Sequence, residues 1–133
     1  MFLVDTNVWL ELLLEQEKAN EVRKFFQETK ASEISITEFS LYSIGIVLYR
    51  LKKDALFEDF VSDIIEDSDI SKIVLSVFEI KTVIETGRRF NLDFDDAYQY
   101  VAALEHGLTL VSFDKDFDTT ELGKKTPSEA LIS

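Results

Sequence analysis

Acidic side chains follow two of the buried, strand-like segments of this sequence. Asp5 ends the apolar run "FLVD", and Asp114 comes two residues after the run "LTLVS". A carboxylate at the end of a buried strand is costly unless something neutralises or solvates it. In open sheets of parallel strands, ligands bind beyond the carboxyl ends of the strands. If these two strands are neighbours, we expect Asp5 and Asp114 to converge at such an edge.

Glu38 lies near the start of a predicted long helix, on its apolar face. It shares one stripe with Leu41, Gly45 and Leu48 at helical spacing. A glutamate in the first turn also stabilises a helix through its dipole, by less than about 1 kcal/mol. The position is therefore consistent with a dipole role and with a place in a polar pocket.

The segment "LDFDDAYQYVAALEHG" places three aspartates at the start of another predicted helix. Asp93 could cap this helix, while Asp95 and Asp96 favour its positive end. The apolar positions that we expect to face the core follow at helical spacing: Ala97, Tyr100, Val101 and Leu104. Helical rotation then directs Asp95 nearly opposite this stripe and Asp96 to its edge. Asp96 is the better candidate for a site.

The segment "SFDKDFD" adds Asp116 and Asp118 directly after Asp114. A turn rich in aspartate is common, so this segment alone indicates little. The candidates Asp5, Glu38, Asp96 and Asp114 come from four separate elements, however, and each lies at a strand end or a helix start. Their convergence would create strong repulsion, which one or two divalent cations would remove. Carboxylate ligands suit Mg²⁺ or Mn²⁺.

Composition excludes several other kinds of site. The chain has no Cys and one His, His106, which excludes a disulfide framework, Cys-ligated zinc and thiol chemistry, and nearly excludes a Ser-His-Asp site. The sequence has no signal-peptide pattern and no apolar run of the roughly 18 to 20 residues that span a bilayer. We therefore expect a soluble, cytoplasmic protein.

Strand-like and helical patterns alternate along the chain. We predict strands over 2–5, 33–35, 73–75 and 108–112, and helices over 7–15, 18–29, 37–53, 55–65, 77–90 and 95–105, with a last helix from Pro127. This order predicts a three-layer α/β sandwich with a mostly parallel central sheet and helices on both faces. Its 133 residues predict a single domain, 1–133.

The long helix over 37–53 is apolar on almost every side, which predicts burial on every side. In so small a domain, we expect a second subunit or a partner's peptide to cover one face. The alternative is a central helix beneath the neighbouring helix over 55–65.

The net charge of −12 should repel nucleic acid unless metal ions or local basic groups intervene. The basic candidates for phosphate contacts, each more typical of a solvated surface, are Arg50, Lys52, Lys53, Arg88, Arg89, Lys115, Lys124 and Lys125.

Four motifs together resemble those of PIN-domain proteins of the VapC toxin type. They are "FLVDTNVWL", "SITEFS", "LDFDDAYQYVAA" and "LTLVSFDKDF", which occur in the family's order over the whole chain. The resemblance implies a Rossmann-like sheet and metal-dependent hydrolysis of RNA phosphodiester bonds. It implies that Asp5, Glu38 and Asp96 bind metal and that Asp114 is the usual fourth acid, with Asp116 as the alternative.

The resemblance also implies supporting hydrogen bonds from Asn7 and Ser112, beside Thr6 of the first motif. It implies Mg²⁺ or Mn²⁺ as cofactor, RNA as substrate, a homodimer and an antitoxin as a possible partner. In the implied reaction, water attacks phosphorus and no covalent protein intermediate forms.

Two other functions compete with this interpretation. A non-catalytic RNA-binding or interaction module could keep the same fold. An acidic-pocket phosphatase fits less well, because a haloacid-dehalogenase-type site needs a second aspartate two residues after Asp5, where this chain has Asn7. The pattern of a receiver-type phosphoacceptor site, with paired acids near the first strand and a lysine after a late strand, also fails to match.

Overall fold

The computed structural model describes residues 1–132 and centres on a four-stranded parallel sheet. Its strands are β1 (Phe2–Val4), β2 (Ile34–Thr37), β3 (Ser71–Ile73) and β4 (Thr109–Val111), in the spatial order β3-β2-β1-β4. Leu3 pairs with Ser35 of β2 on one side and with Leu110 of β4 on the other. β1 and β4 are therefore neighbours, as convergence of Asp5 and Asp114 requires.

Helices cover both faces of the sheet. They are α1 (Thr6–Leu13), α2 (Ala19–Glu28), α3 (Glu38–Arg50), α4 (Asp54–Phe60), α5 (Ile80–Phe90), α6 (Phe94–Glu105) and α7 (Pro127–Ile132). Successive side chains of a strand point to opposite faces. Leu3 thus packs in one core with α5 and α6, while Val4 packs in the other with α1 to α4 and α7. The predicted three-layer α/β sandwich is confirmed.

Strand boundaries differ from the predictions at the far edge of the sheet. β3 covers Ser71–Ile73 instead of 73–75, since pairing with β2 extends through residues whose side chains are exposed. Only Ile73 of this strand is buried, so an apolar pattern does not mark its start. The predicted helix over 55–65 is α-helical to Phe60 and continues as a π-helical turn over Val61–Glu66.

The long helix α3 is buried on one face only. Leu41, Ile44 and Leu48 pack in the core, whereas Tyr42 and Tyr49 are 59% and 66% exposed and Ile46 is 52% exposed. The single chain therefore does not bury this helix on every side, so the alternative of burial beneath the helix over 55–65 is wrong for this face. Cover of one face by a partner stays a prediction. Within residues 1–132, no helix has the length and apolar character needed to cross a membrane.

Candidate metal centre

Asp5 lies at the carboxyl end of β1, where it caps the next helix. Its backbone N–H donates to the carbonyl of Val111 in β4 at 2.9 Å. Its Oδ1 accepts a hydrogen bond from the backbone N–H of Thr6 at 2.8 Å, as the N-cap of α1. The hydroxyl of Ser112, which follows β4, donates to Oδ2 at 2.7 Å. Parallel pairing of β1 and β4 thus fixes this carboxylate between two strand ends.

Two amides complete the surroundings of Asp5. Gln99 of α6 donates through Nε2 to Oδ1 at 2.9 Å, and Asn7 donates through Nδ2 to Oδ2 at 3.4 Å. The side chain has 5% of its surface exposed. Burial raises the pKa of Asp5 above its usual value, against the opposing effect of the donors from Gln99, Ser112 and Thr6, and the charge of Asp114 raises it further.

A pocket opens beside Asp5 at this edge of the sheet. The residues that line it are Asp5, Thr6, Asn7, Leu10, Phe39, Ser43, Asp95, Asp96, Gln99 and Asp114. Its position beyond the strand ends is the usual ligand site of open parallel sheets. The structure therefore brings Asp5, Asp96 and Asp114 together, from β1, α6 and the segment after β4.

Asp96, Asp114 and Asp116 form a close group of carboxylates in the site. One oxygen from each lies within 4.8 Å of the others. Asp114 begins a short 3₁₀ turn, where its Oδ1 accepts from the backbone N–H of Asp116 at 2.9 Å. The Oγ of Ser112 accepts from the backbone N–H of Asp114 at 2.9 Å. The turn therefore directs both acids toward Asp96.

Burial and the neighbouring acids together raise the pKa of Asp96 strongly. Burial raises its pKa most, and the charges of Asp114, Asp95 and Asp5 raise it further, to about 8. Several carboxylates within a few ångströms cannot all ionise without repulsion. A divalent cation would remove this conflict, and an all-oxygen donor set of half-buried and exposed carboxylates fits Mg²⁺ or Mn²⁺.

Asp95 and Asp93 extend the acidic cluster at the start of α6. Oxygens of Asp93, Asp95 and Asp96 also lie within 4.8 Å of one another, although Asp93 and Asp95 are exposed. Asp95 was expected to point away from the core, and its exposed side chain does so while contributing to the pocket rim. Leu104, expected in the core stripe, is 57% exposed because α6 ends at Glu105 and its last turn is solvated.

Glu38 lies outside this pocket. Its Oε2 accepts from the Nζ of Lys72 at 3.0 Å, and Lys72 belongs to β3. In the sheet, β3 and the β1–β4 pair lie on opposite sides of β2. The carboxylate is therefore directed toward the edge strand and away from Asp114, so the expected convergence of four acids holds for three of them.

The three predicted supporting residues contact the site. The Thr6 and Ser40 hydroxyls lie 2.8 Å apart and hydrogen-bond each other. Asn7 donates to Ser112 Oγ at 3.3 Å and accepts from the backbone N–H of Phe113 at 3.2 Å through Oδ1. These contacts join the start of α1 to the segment after β4.

Sequence reasoning missed two buried polar residues of the site, Gln99 and Ser40. Gln99 Nε2 donates to Ser40 Oγ at 2.6 Å as well as to Asp5. Every residue from 97 to 103 is buried, so Gln99 is a polar side chain in an otherwise apolar or aromatic stretch. Its spacing of three from Asp96, which places the two on adjoining parts of one helix face, was the available signal.

Two of the basic residues considered for phosphate contacts form ion pairs with acidic side chains instead. Arg89 pairs with Glu121, and Lys124 pairs with Asp118 at 3.2 Å. Lys18, which was not a candidate, lies 4.6 Å from the centre of the Phe113 ring, next to Asp114 in sequence. Lys18, on the loop before α2, therefore lies against the segment after β4 that carries Asp114.

Comparison with known proteins identifies the family. The PIN domain profile matches residues 2–122. Curated protein sequences gave no match. Among solved structures, a chain of a toxin-antitoxin complex from Klebsiella pneumoniae is 18% identical, with a TM-score of 0.75 over 97% of this chain and 99% of that one.

Two further structures share the fold. The Mycobacterium tuberculosis toxin VapC20, described as cleaving the sarcin-ricin loop, is 14% identical, with a TM-score of 0.79 over 91% of this chain and 95% of its own. FitAcB from Neisseria gonorrhoeae is 19% identical, with a TM-score of 0.75 over 96% and 98%. With the profile match across nearly the whole chain, these results show that this chain belongs to the PIN-domain family.

Proposed function

We propose that residues 1–133 form one metal-dependent endoribonuclease domain that hydrolyses RNA phosphodiester bonds. The observation that carries this proposal is the group of Asp96, Asp114 and Asp116, whose oxygens lie within 4.8 Å of one another beside the buried Asp5. Family membership supports the same chemistry.

The proposed cofactor is Mg²⁺ or Mn²⁺, held by Asp5, Asp96 and Asp114, with Asp116 as a further ligand. Bound there, such an ion would supply an activated water at neutral pH and charge stabilisation for the transferring phosphoryl group. Ser112 and Thr6 hold Asp5 through the hydrogen bonds described above. A carboxylate of the group would orient the attacking water and accept its proton.

The proposed cellular role is that of the toxin of a toxin-antitoxin pair in the cytoplasm. This rests on the VapC-type motifs and on two structural relatives, one from a toxin-antitoxin complex and one a sarcin-ricin loop cleaving toxin. An antitoxin protein is therefore a proposed partner. A second copy of the chain is the other, and the exposed stripe of Tyr42, Ile46 and Tyr49 on α3 is its proposed contact surface.

A non-catalytic RNA-binding module of the same fold is the second candidate. The observation that favours it is the pairing of Glu38 with Lys72, which removes one expected carboxylate from the pocket. The two candidates differ in one outcome, because an acid-to-amide change at Asp96 should abolish cleavage by an enzyme and leave RNA binding by a module intact.

The test is cleavage of a panel of structured and single-stranded RNAs with Mg²⁺, with Mn²⁺ or with excess EDTA. Wild type is compared with Asp96→Asn and with Asp118→Asn, a matched change in the same acidic region at a residue paired with Lys124. Circular dichroism confirms folding of each protein. We expect metal-dependent cleavage by wild type and Asp118→Asn and a loss of at least a hundredfold in Asp96→Asn. Equal RNA binding without cleavage by all three would support the module.

A further inference from the structure

Gln99 is a buried polar side chain that hydrogen-bonds to Asp5 and to two hydroxyl groups behind the acidic pocket. It has 2% of its surface exposed, in the middle of α6. Nε2 donates to Asp5 Oδ1 at 2.9 Å and to Ser40 Oγ at 2.6 Å, and Oε1 accepts from the Thr37 hydroxyl at 2.7 Å. One amide therefore joins the ends of β1 and β2 to α6.

Asp5 and Thr37 together set which way this amide faces. Thr37 Oγ1 accepts from the backbone N–H of Ser40 at 2.9 Å, as the N-cap of α3, which leaves its proton free to donate to Gln99 Oε1. A reversed amide would set Oε1 against the Asp5 carboxylate, which can only accept, and the Thr37 proton would lose its acceptor on Gln99. Ser40 N–H, Thr37 and Gln99 thus form a directed chain that ends with an N–H group on Asp5.

The donors around Asp5 are unequal on its two oxygens. Oδ1 accepts two short bonds, from Thr6 N at 2.8 Å and from Gln99 at 2.9 Å. Oδ2 accepts one short bond, from Ser112 at 2.7 Å, and a long contact from Asn7 at 3.4 Å. A carboxylate offers about four lone-pair sites. Oδ2 is therefore the oxygen with the more weakly occupied acceptor site.

We propose that Gln99 is a positioning residue, which anchors Asp5 through Oδ1 so that Oδ2 is the oxygen available to a divalent cation. The inference rests on the proposed metal site. An amide suits the position because it donates to Asp5 without adding charge to a pocket that already holds Asp96 and Asp114. Side chains that orient metal ligands in this way commonly change metal affinity by 10- to 100-fold when removed.

Mn²⁺ binding, measured by electron paramagnetic resonance of the free ion, tests this inference independently of cleavage. Gln99→Met keeps the side-chain length and removes both polar atoms. Tyr98→Phe is the matched control, because it removes a buried hydrogen bond on the same helix, from the backbone N–H of Leu75 at 3.0 Å, without touching Asp5. We expect at least tenfold weaker Mn²⁺ binding by Gln99→Met and a change of less than twofold in Tyr98→Phe.

A second pair of variants keeps the inference testable if Gln99→Met fails to fold. Thr37→Val removes the hydroxyl that orients the amide, and Thr37→Ser retains it. We expect Thr37→Val to weaken Mn²⁺ binding severalfold and Thr37→Ser to restore the wild-type affinity. Because the Thr37 hydroxyl also caps α3, the two affinities are compared under conditions in which circular dichroism shows both variants to be fully folded.

The outcomes separate the two proposals. Absence of Mn²⁺ binding by folded wild type would overturn the proposed function and with it the role of Gln99. Binding by wild type together with unchanged affinity in Gln99→Met, or in both Thr37 variants if Gln99→Met is unfolded, would overturn the role of Gln99 alone.

Discussion

At the residue scale, the candidate metal centre brings together carboxylates that repel one another. Asp96 faces Asp114, Asp95 and Asp5, and its pKa is raised to about 8. Asp5 is more deeply buried, and its pKa is raised in spite of donors from Gln99, Ser112 and Thr6. A folded protein retains such an arrangement only if the rest of the structure compensates for it, and strained or repulsive groups concentrate at functional sites.

Asp96→Asn should stabilise the metal-free protein. The amide removes a half-buried carboxyl from the influence of three others while keeping its shape. After allowance for solvent screening, we expect a gain on the order of 1 kcal/mol, or about 4 °C in Tm for a domain of this size. Differential scanning calorimetry in EDTA measures the shift, with Asp118→Asn as the control. A lower Tm in Asp96→Asn would show that the carboxyl contributes favourable contacts in the absence of metal.

The same carboxyl should make metal-free stability depend on pH. Since its pKa rises from 3.8 on folding, the native state binds the proton more tightly than the unfolded state. The resulting stabilisation is full below about pH 4 and is lost as pH rises toward 8. Urea unfolding in EDTA at several pH values should show this decline in wild type and a smaller one in Asp96→Asn. Parallel profiles for the two proteins would exclude Asp96 as the source.

Glu38 is the residue at which the structure differs from the motif-based expectation of a metal ligand. Its carboxylate is paired with Lys72 and lies outside the pocket. We therefore expect Glu38→Gln to change Mn²⁺ affinity by less than about threefold, compared with the 10- to 100-fold loss typical when a group that supports a metal is removed. Isothermal titration with Mn²⁺ measures both this variant and Asp96→Asn. A loss in Glu38→Gln equal to that in Asp96→Asn would mean that Glu38 turns toward the metal when it binds.

At the element scale, the sequence predicted most of what positions the site. Apolar runs that stop at Asp5 and just before Asp114 indicated two strands with acids at their carboxyl ends, and the structure pairs those strands. The apolar pattern did not indicate Gln99, because it assumed one apolar stripe on a helix in which every residue from 97 to 103 is buried. It could not indicate the direction of Glu38 either, since that depends on Lys72 in the edge strand β3, whose exposed residues lack a strand-like pattern.

The turn between α5 and α6 positions the first turn of α6, which carries Asp95 and Asp96. Asn91 ends α5 in the left-handed conformation, with φ of 55°, and the backbone N–H of Leu92 donates to the Gly87 carbonyl at 2.9 Å. Asparagine tolerates this conformation better than residues with an ordinary side chain. The turn therefore fixes the distance between α5 and the first turn of α6.

Asn91→Ala should destabilise this junction by about 1 kcal/mol, because alanine is strained at positive φ. Asn91→Gly is the matched control and should lie within about 0.5 kcal/mol of wild type, since glycine adopts this conformation freely. Chemical denaturation measures both. Equal stability of the two variants would show that the asparagine side chain, and not backbone strain, determines the preference.

At the scale of the whole molecule, charge and apolar surface indicate different partners. A net charge of −12 opposes association with nucleic acid, so approach of the proposed RNA substrate would depend on cations at the pocket and on local basic groups such as Lys18. The exposed stripe on α3 is apolar and aromatic, and the core of a protein interface is typically depleted of charge and enriched in such residues. The acidic pocket and this stripe therefore differ in the kind of partner that each would favour.

The stripe on α3 leads to a prediction about assembly. If a second copy of the chain covers Tyr42, Ile46 and Tyr49, Ile46→Asp places a charge in the buried centre of the contact. We expect the dimer dissociation constant to rise at least thirtyfold, which corresponds to about 2 kcal/mol. Phe78→Asp is the matched control, because Phe78 is 92% exposed on a different segment and should leave dimerisation unchanged. Sedimentation velocity over a range of concentrations distinguishes the variants. A monomeric wild type at tens of micromolar, or equal dissociation in the two variants, would assign the α3 stripe to a partner other than a second copy.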